Sequence, residues 1–148
     1  MPDLKDLATR MLTLHEGVRL KPYTDTVGKL TLGIGRNLDD RGITREEAEY
    51  LLSNDISDVW LQLVSQLPFF SRLDTVRQAV LIDMGFNLGI AGLMSFRNTL
   101  VAIGEGRYVD AAQGMLDSKW STQVGRRSER LAEMMRTGEL PAELRETT

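Results

Sequence analysis

The sequence predicts an α+β fold, mostly helical, with a small sheet-bearing lobe and a larger helical lobe joined by a long helix. Three observations predict it. Apolar residues recur at helical spacing over most of the chain, one segment from Val18 to Leu38 breaks that spacing, and a helical pattern of about 20 residues follows it. At 148 residues the chain suits one domain, 1–148, with a sheet-bearing lobe near 15–55, a helical lobe from 1–14 plus 67–148, and a connecting helix at 45–66. Its 42% hydrophobic and 26% charged residues permit a real core and argue against intrinsic disorder.

Pro2 and Asp3 open the first helix, in which Leu4, Leu7, Ala8, Met11 and Leu12 form the stripe of a helix with one buried face. Gly17 is a natural stop, so Glu16 belongs to the last turn or just beyond it. Pro22 then interrupts helix, and Thr26-Val27-Gly28 reads as a turn between two extended runs. Leu30, Leu32 and Ile34 alternate with Thr31, Gly33 and Gly35, which predicts a small antiparallel sheet with an open face. Thr44 and Glu47 form a capping box for the long helix, whose apolar residues run from Ala48 through Leu51, Ile56, Trp60 and Leu63 to Val64, before Pro68. Such a helix is roughly 30 Å long. Asp74 caps a helix ending near Gly89, Ser95 caps one ending near Gly104, and two more cover about 107–117 and 126–137. Trp60, Trp120 and the methionines are expected in the core.

Much chemistry is excluded by inventory. There is no cysteine and one histidine, His15, so neither a disulfide nor a metal site is expected, and no cofactor motif is present. Gly33-Ile34-Gly35 lacks the lysine of a phosphate-binding loop, and His15 has no elbow-type serine beside it. No run approaches the roughly 18 apolar residues of a membrane span, so membrane insertion is not expected. Charges from Asp3 onward argue against a secretory signal. The net charge is −3, yet residues 119–136 carry five basic against two acidic side chains. That excess suits an anionic polymer or an ordinary solvated helix face. Gly89–Leu93 lies between two helices but no basic recognition helix follows, so nucleic-acid binding is not expected.

What remains is carboxylate chemistry. A helix C-terminus carries partial negative charge, which favours a carboxyl there that keeps its proton, as a general acid must. Glu16 has that position; Asp25 follows nine residues later in a polar segment, and Thr31 six after that. An acid, a base and a water-holding hydroxyl make a candidate glycoside hydrolase site. By spacing alone, Glu16 paired with an arginine and Asp25 capping a turn explain the same residues.

The longer string is more specific. His15-Glu16-Gly17, then Tyr23-Thr24-Asp25-Thr26 with Gly28, then Leu30-Thr31-Leu32-Gly33-Ile34-Gly35, closely resembles the catalytic signature of the T-even phage lysozymes, the muramidases of glycoside hydrolase family 24. The resemblance continues through Gly42-Ile43-Thr44, Leu73-Asp74, Val76-Arg77, Phe86-Asn87, Gly89, Ser118-Lys119-Trp120 and the helix holding Arg127 and Arg130.

That resemblance implies a lysozyme-like fold and an inverting hydrolysis of the β-1,4 bond from N-acetylmuramic acid to N-acetylglucosamine. Glu16 would protonate the glycosidic oxygen, Asp25 would activate or stabilise the attacking water, and Thr31 would position it. An inverting pair implies carboxyls about 6.5–9.5 Å apart. Asn37, Phe86 and Thr99 occupy positions that line the family's substrate cleft, and Gly114 stands where a polar cleft residue is usual. Arg127 matches an arginine that pairs with the catalytic glutamate, and Arg36 with Asp55 matches a second ion pair. The resemblance implies an endolysin with peptidoglycan as substrate, and a monomer is the default expectation. Made in the host cytoplasm, it would act on the wall from the periplasm once a holin-like pore had opened the membrane. A lytic transglycosylase and a non-catalytic wall-binding or virion structural module are the alternatives.

Overall fold

Asp3 enters the first helix in an extended conformation, and its carbonyl accepts from the backbone N–H of Leu7. This is a computed structural model describing residues 3–145, and Pro2, expected at the same helix start, lies outside them. Helix α1 spans Leu4–Glu16 and stops where expected, because Gly17 takes φ 73° and returns its N–H to the carbonyl of Thr13. The expected buried stripe is not found: α1 contains no buried residue, and Leu4, Leu7, Met11 and Leu12 are all exposed.

Three strands follow: β1 (Arg19–Thr24), β2 (Leu30–Gly33) and β3 (Arg36–Asn37). They form an antiparallel sheet in that order, with Thr31 between Tyr23 on β1 and Asn37 on β3. Pro22, which has no N–H to give a ladder, lies on the edge strand within a register irregularity between Arg19 and Tyr23. Thr44 and Glu47 cap α2 (Arg45–Gln66) reciprocally: the Glu47 N–H donates to Thr44 Oγ1 at 3.1 Å, and the Thr44 N–H to Glu47 Oε1 at 2.8 Å.

After a 3-10 turn at Phe70–Arg72 come α3 (Thr75–Met94), α4 (Arg97–Gly104), α5 (Tyr108–Leu116), α6 (Lys119–Val124) and α7 (Arg126–Thr137), with a second 3-10 turn at Ala142–Leu144. Asp74 caps α3 by accepting from the Arg77 N–H, and α3 is broken at Gly89, where φ 76° and ψ 160° are not helical. Ser95 is not the expected cap of α4. Its hydroxyl donates back to the carbonyl of Gly92, and Phe96 holds the N-cap position. Helix α6, capped by the Ser118 hydroxyl, has no counterpart in the sequence reading, since six residues are too few for a periodic pattern.

Contacts divide the chain into two units, Met1–Leu51 and Leu52–Thr148, with the division inside α2. The buried apolar core belongs to the second unit. Phe70, Leu63, Leu81, Met84, Leu93, Ile103, Met115 and Met135 are its largest fully buried hydrophobic side chains. Within that unit α5 packs on α4 and α7, and α3 also lies against α7. Trp120 joins the core as expected, edge-on to Phe96 at 6.0 Å, with its Nε1–H donating to Asn87 Oδ1. Trp60 does not; it is 45% exposed. No single helix among the described residues is long and apolar enough to cross a membrane, and the apolar bent pair α3–α4 supplies core residues instead.

Candidate active site

In the first unit the site is built on the β1–β2 turn. Asp25 Oδ1 accepts from the backbone N–H groups of Val27 at 3.0 Å and Lys29 at 2.8 Å, while the Gly28 N–H returns to the Asp25 carbonyl. Aspartate closes such turns because its short side chain reaches the backbone two residues on. The turn uses Oδ1 and leaves Oδ2 uncommitted to it.

Thr31 is 3% exposed, and its hydroxyl donates to the carbonyl of Lys29 at 3.0 Å. The same carbonyl accepts from the Asp25 N–H at 2.9 Å. The backbone of Lys29 therefore ties Asp25 and Thr31 into one hydrogen-bonded frame. A hydroxyl that donates once keeps lone pairs for a second partner, so Thr31 can still accept a hydrogen bond from a water. Sequence reasoning missed Lys29 because its part is played by main-chain atoms, which carry no residue-type signal.

Glu16 is the last residue of α1 and is exposed. Its carboxyl lies against the turn between β2 and β3, over the bare Cα of Gly35. Asn37 faces Thr31 across the β2–β3 ladder, but its side chain is occupied locally, donating to Asp40 Oδ2 and accepting from the Asp40 N–H.

Arg36 differs from expectation. It pairs with Glu47 in two-pronged fashion, at 2.9 and 2.7 Å, rather than with Asp55, because the first turn of α2 presents Glu47 directly to β3. Those hydrogen bonds, followed by the Thr44 N–H, hold the Glu47 carboxyl down at about 2. Arg127 pairs with Asp83 of α3, at 2.8 Å. Asp83 stands on a helix that packs on α7, so the pair stays within the second unit.

The remaining expected residues belong to the second unit. Phe86, 48% exposed, lines a depression together with Asp55, Asp58 and Gln62. Thr99 is buried, and its hydroxyl fills the space that a side chain at Gly114 would need: a Cβ there would stand 2.5 Å from Thr99 Oγ1. Both residues line a cavity of about 710 Å³ that Phe96 and Trp120 also border. The basic excess at 119–136 is largely compensated, since Arg127 pairs with Asp83, Arg130 with Glu143 and Arg136 with Glu133.

A small three-stranded antiparallel sheet followed by a mostly helical remainder is the α+β arrangement of a lysozyme-like fold. Comparison with known proteins agrees. The chain belongs to the phage lysozyme family, whose model matches residues 13–137. It is 30% identical to the probable T4-type lysozyme 1 of Dictyostelium discoideum, over 89% of this chain and 95% of that protein. It is 30% identical to the endolysin of Acyrthosiphon pisum secondary endosymbiont phage 1, over 75% of each. It is also 29% identical to the pre-baseplate central spike protein Gp5 of Enterobacteria phage T4, over 88% of this chain but only 28% of the spike protein.

Proposed function

We propose that this protein is an endolysin that hydrolyses the β-1,4 bond between N-acetylmuramic acid and N-acetylglucosamine in bacterial peptidoglycan, with inversion at the anomeric carbon. Glu16 gives its proton to the departing glycosidic oxygen as the bond from the muramic anomeric carbon breaks. A water attacks that carbon from the opposite face; Asp25 takes the water's proton through Oδ2, and Thr31 Oγ1 holds the water in line. The observation that carries this reading is the shared Lys29 carbonyl, which fixes Asp25 and Thr31 together while leaving Oδ2 and the threonine lone pairs for a water. Pre-set geometry of this kind removes much of the entropy from the attacking step.

The test is mass spectrometry of the soluble fragments released from purified peptidoglycan by the wild type and by Glu16→Gln. Hydrated, reducing muramic ends that vanish in the variant support the reading. Anhydro-muramyl ends identify a lytic transglycosylase instead, and unchanged release by Glu16→Gln removes Glu16 from its role.

The cellular setting belongs to the same proposal. The protein acts as a monomer, accumulates in the host cytoplasm and reaches the wall through a holin-like pore. Expressing cells should lyse when chloroform opens the membrane and stay intact otherwise. One observation favours a second reading: the likeness to a spike protein suits a lysozyme component of a virion. Detection of the chain in purified particles would support that alternative.

A further inference from the structure

Gly35 is the second residue of the two-residue turn between β2 and β3, with φ +69°. A Cβ at this position would lie 2.8 Å from Glu16 Oε2, 2.9 Å from its Cδ and 3.1 Å from its Cγ. Carbon does not tolerate such distances, so the glutamate carboxyl sits where it does only because residue 35 has no side chain. Gly33, two residues earlier, has a similar positive φ of +74°, yet a Cβ there would meet nothing within 4 Å. Gly33 ends β2 and Gly35 lies in the turn that follows it. Only one of them touches the carboxyl.

We propose that Gly35 is a positioning residue for Glu16: its bare Cα is the seat that fixes the carboxyl at the end of α1, and with it the direction of proton delivery. The inference rests on the reading of Glu16 as the general acid. The end of a glutamate side chain is more easily moved than a β-turn, so a methyl at residue 35 turns the carboxyl away rather than opening the sheet. Misplacement of a reacting group by about 1 Å can cost about 100-fold in rate. Substrate contacts made elsewhere are untouched, so the loss belongs to kcat and not to KM.

The experiment compares Gly35→Ala with Gly33→Ala, which carries the same positive-φ strain without the contact. Values of kcat and KM on soluble peptidoglycan fragments of defined length, and the pH profile of kcat, are measured for both and for the wild type. Gly35→Ala is expected to lower kcat at least tenfold more than Gly33→Ala, with KM within about twofold and a displaced pH profile. Equal kcat values for the two variants overturn the proposal. A double-mutant cycle on thermal midpoints with Glu16→Ala covers the case in which Gly35→Ala folds poorly. Removal of the glutamate side chain should raise the midpoint of Gly35→Ala toward that of Gly33→Ala, whose strain it shares, and leave that of Gly33→Ala unchanged; failure to raise it also overturns the proposal. If Glu16→Gln retains activity, the reading of Glu16 fails, whereas an inactive Glu16→Gln with equal glycine variants sinks only the role of Gly35.

Discussion

Arg36 grips both carboxylate oxygens of Glu47, Nη1 on Oε1 at 2.9 Å and Nη2 on Oε2 at 2.7 Å, and so joins β3 to the first turn of α2. Planar guanidinium matches planar carboxylate in this two-pronged geometry, which a lysine could not reproduce. Glu47 also closes the capping box with Thr44, so one carboxylate anchors two local structures.

The pH dependence of stability follows from that pair. Glu47 lies at about 2 in the folded protein against an ordinary 4.5, chiefly through its hydrogen bond from Arg36. A carboxyl held lower in the folded state stabilises the fold above its unfolded value and loses that contribution as pH falls through the folded one. Wild type should therefore lose stability between about pH 4.5 and 2, and Glu47→Gln should be less stable at neutral pH but lose less across that window. Denaturant midpoints at a series of pH values decide it; parallel curves would remove Glu47 from acid stability.

Thr44 gives a second prediction. Its side-chain oxygen accepts the Glu47 N–H, one of the donors a helix start leaves without an intrahelical partner. Thr44→Ala should cost about 0.5–2 kcal/mol, and Thr44→Ser much less, in urea unfolding.

The frame that holds Asp25 and Thr31 can be separated from their proposed catalytic roles. Asp25→Asn keeps an oxygen that can accept from Val27 and Lys29, so the turn survives while the negative charge goes. It should retain the fold and lose about 100- to 10,000-fold in kcat. Thr31→Val removes the hydroxyl and strands the buried contact with Lys29, at a cost of about 1–3 kcal/mol in stability as well as activity. Thr31→Ser should recover most of both. An Asp25→Asn variant with wild-type kcat would exclude the carboxylate from the reaction.

Core packing gives the fourth prediction. Met84 is fully buried on α3. Met84→Ala should destabilise the protein by about 2–5 kcal/mol and Met84→Leu by less than about 1.5 kcal/mol, measured by thermal unfolding.

The elements most legible in the sequence were those whose signal is local. The capping box of Thr44 and Glu47, the stop at Gly17, the turn after Asp25 and the long helix to Gln66 were expected and are found, because cap and turn chemistry is written in a few adjacent residues. Ion-pair partners were not legible. Arg36 with Glu47 and Arg127 with Asp83 depend on which helix turn faces which strand or helix, and several acidic residues lie at similar distances along the chain. Ser95 misled for a related reason: its hydroxyl closes the helix behind it as readily as it would open the one ahead. At the site, Glu16, Asp25 and Thr31 came from residue type and a recognisable string, whereas the parts of Lys29 and Gly35 lie in main-chain atoms and a missing side chain.

The uneven distribution of buried apolar surface has a dynamic consequence. Every buried hydrophobic side chain among the described residues lies in Leu52–Thr148, whereas Met1–Leu51 is held by turns, a short ladder and surface ion pairs such as Arg36–Glu47, with Thr31 its buried side chain. Segments poor in buried contacts open locally at a fraction of the global unfolding free energy. Amide protons on β1 and β2 should therefore exchange with solvent through small fluctuations, and those around Leu81 and Leu131 only when the whole chain opens. The proposed catalytic residues Glu16, Asp25 and Thr31 all lie in this first unit, so on warming, hydrolysis should fade while the helical circular dichroism of the second unit is still intact.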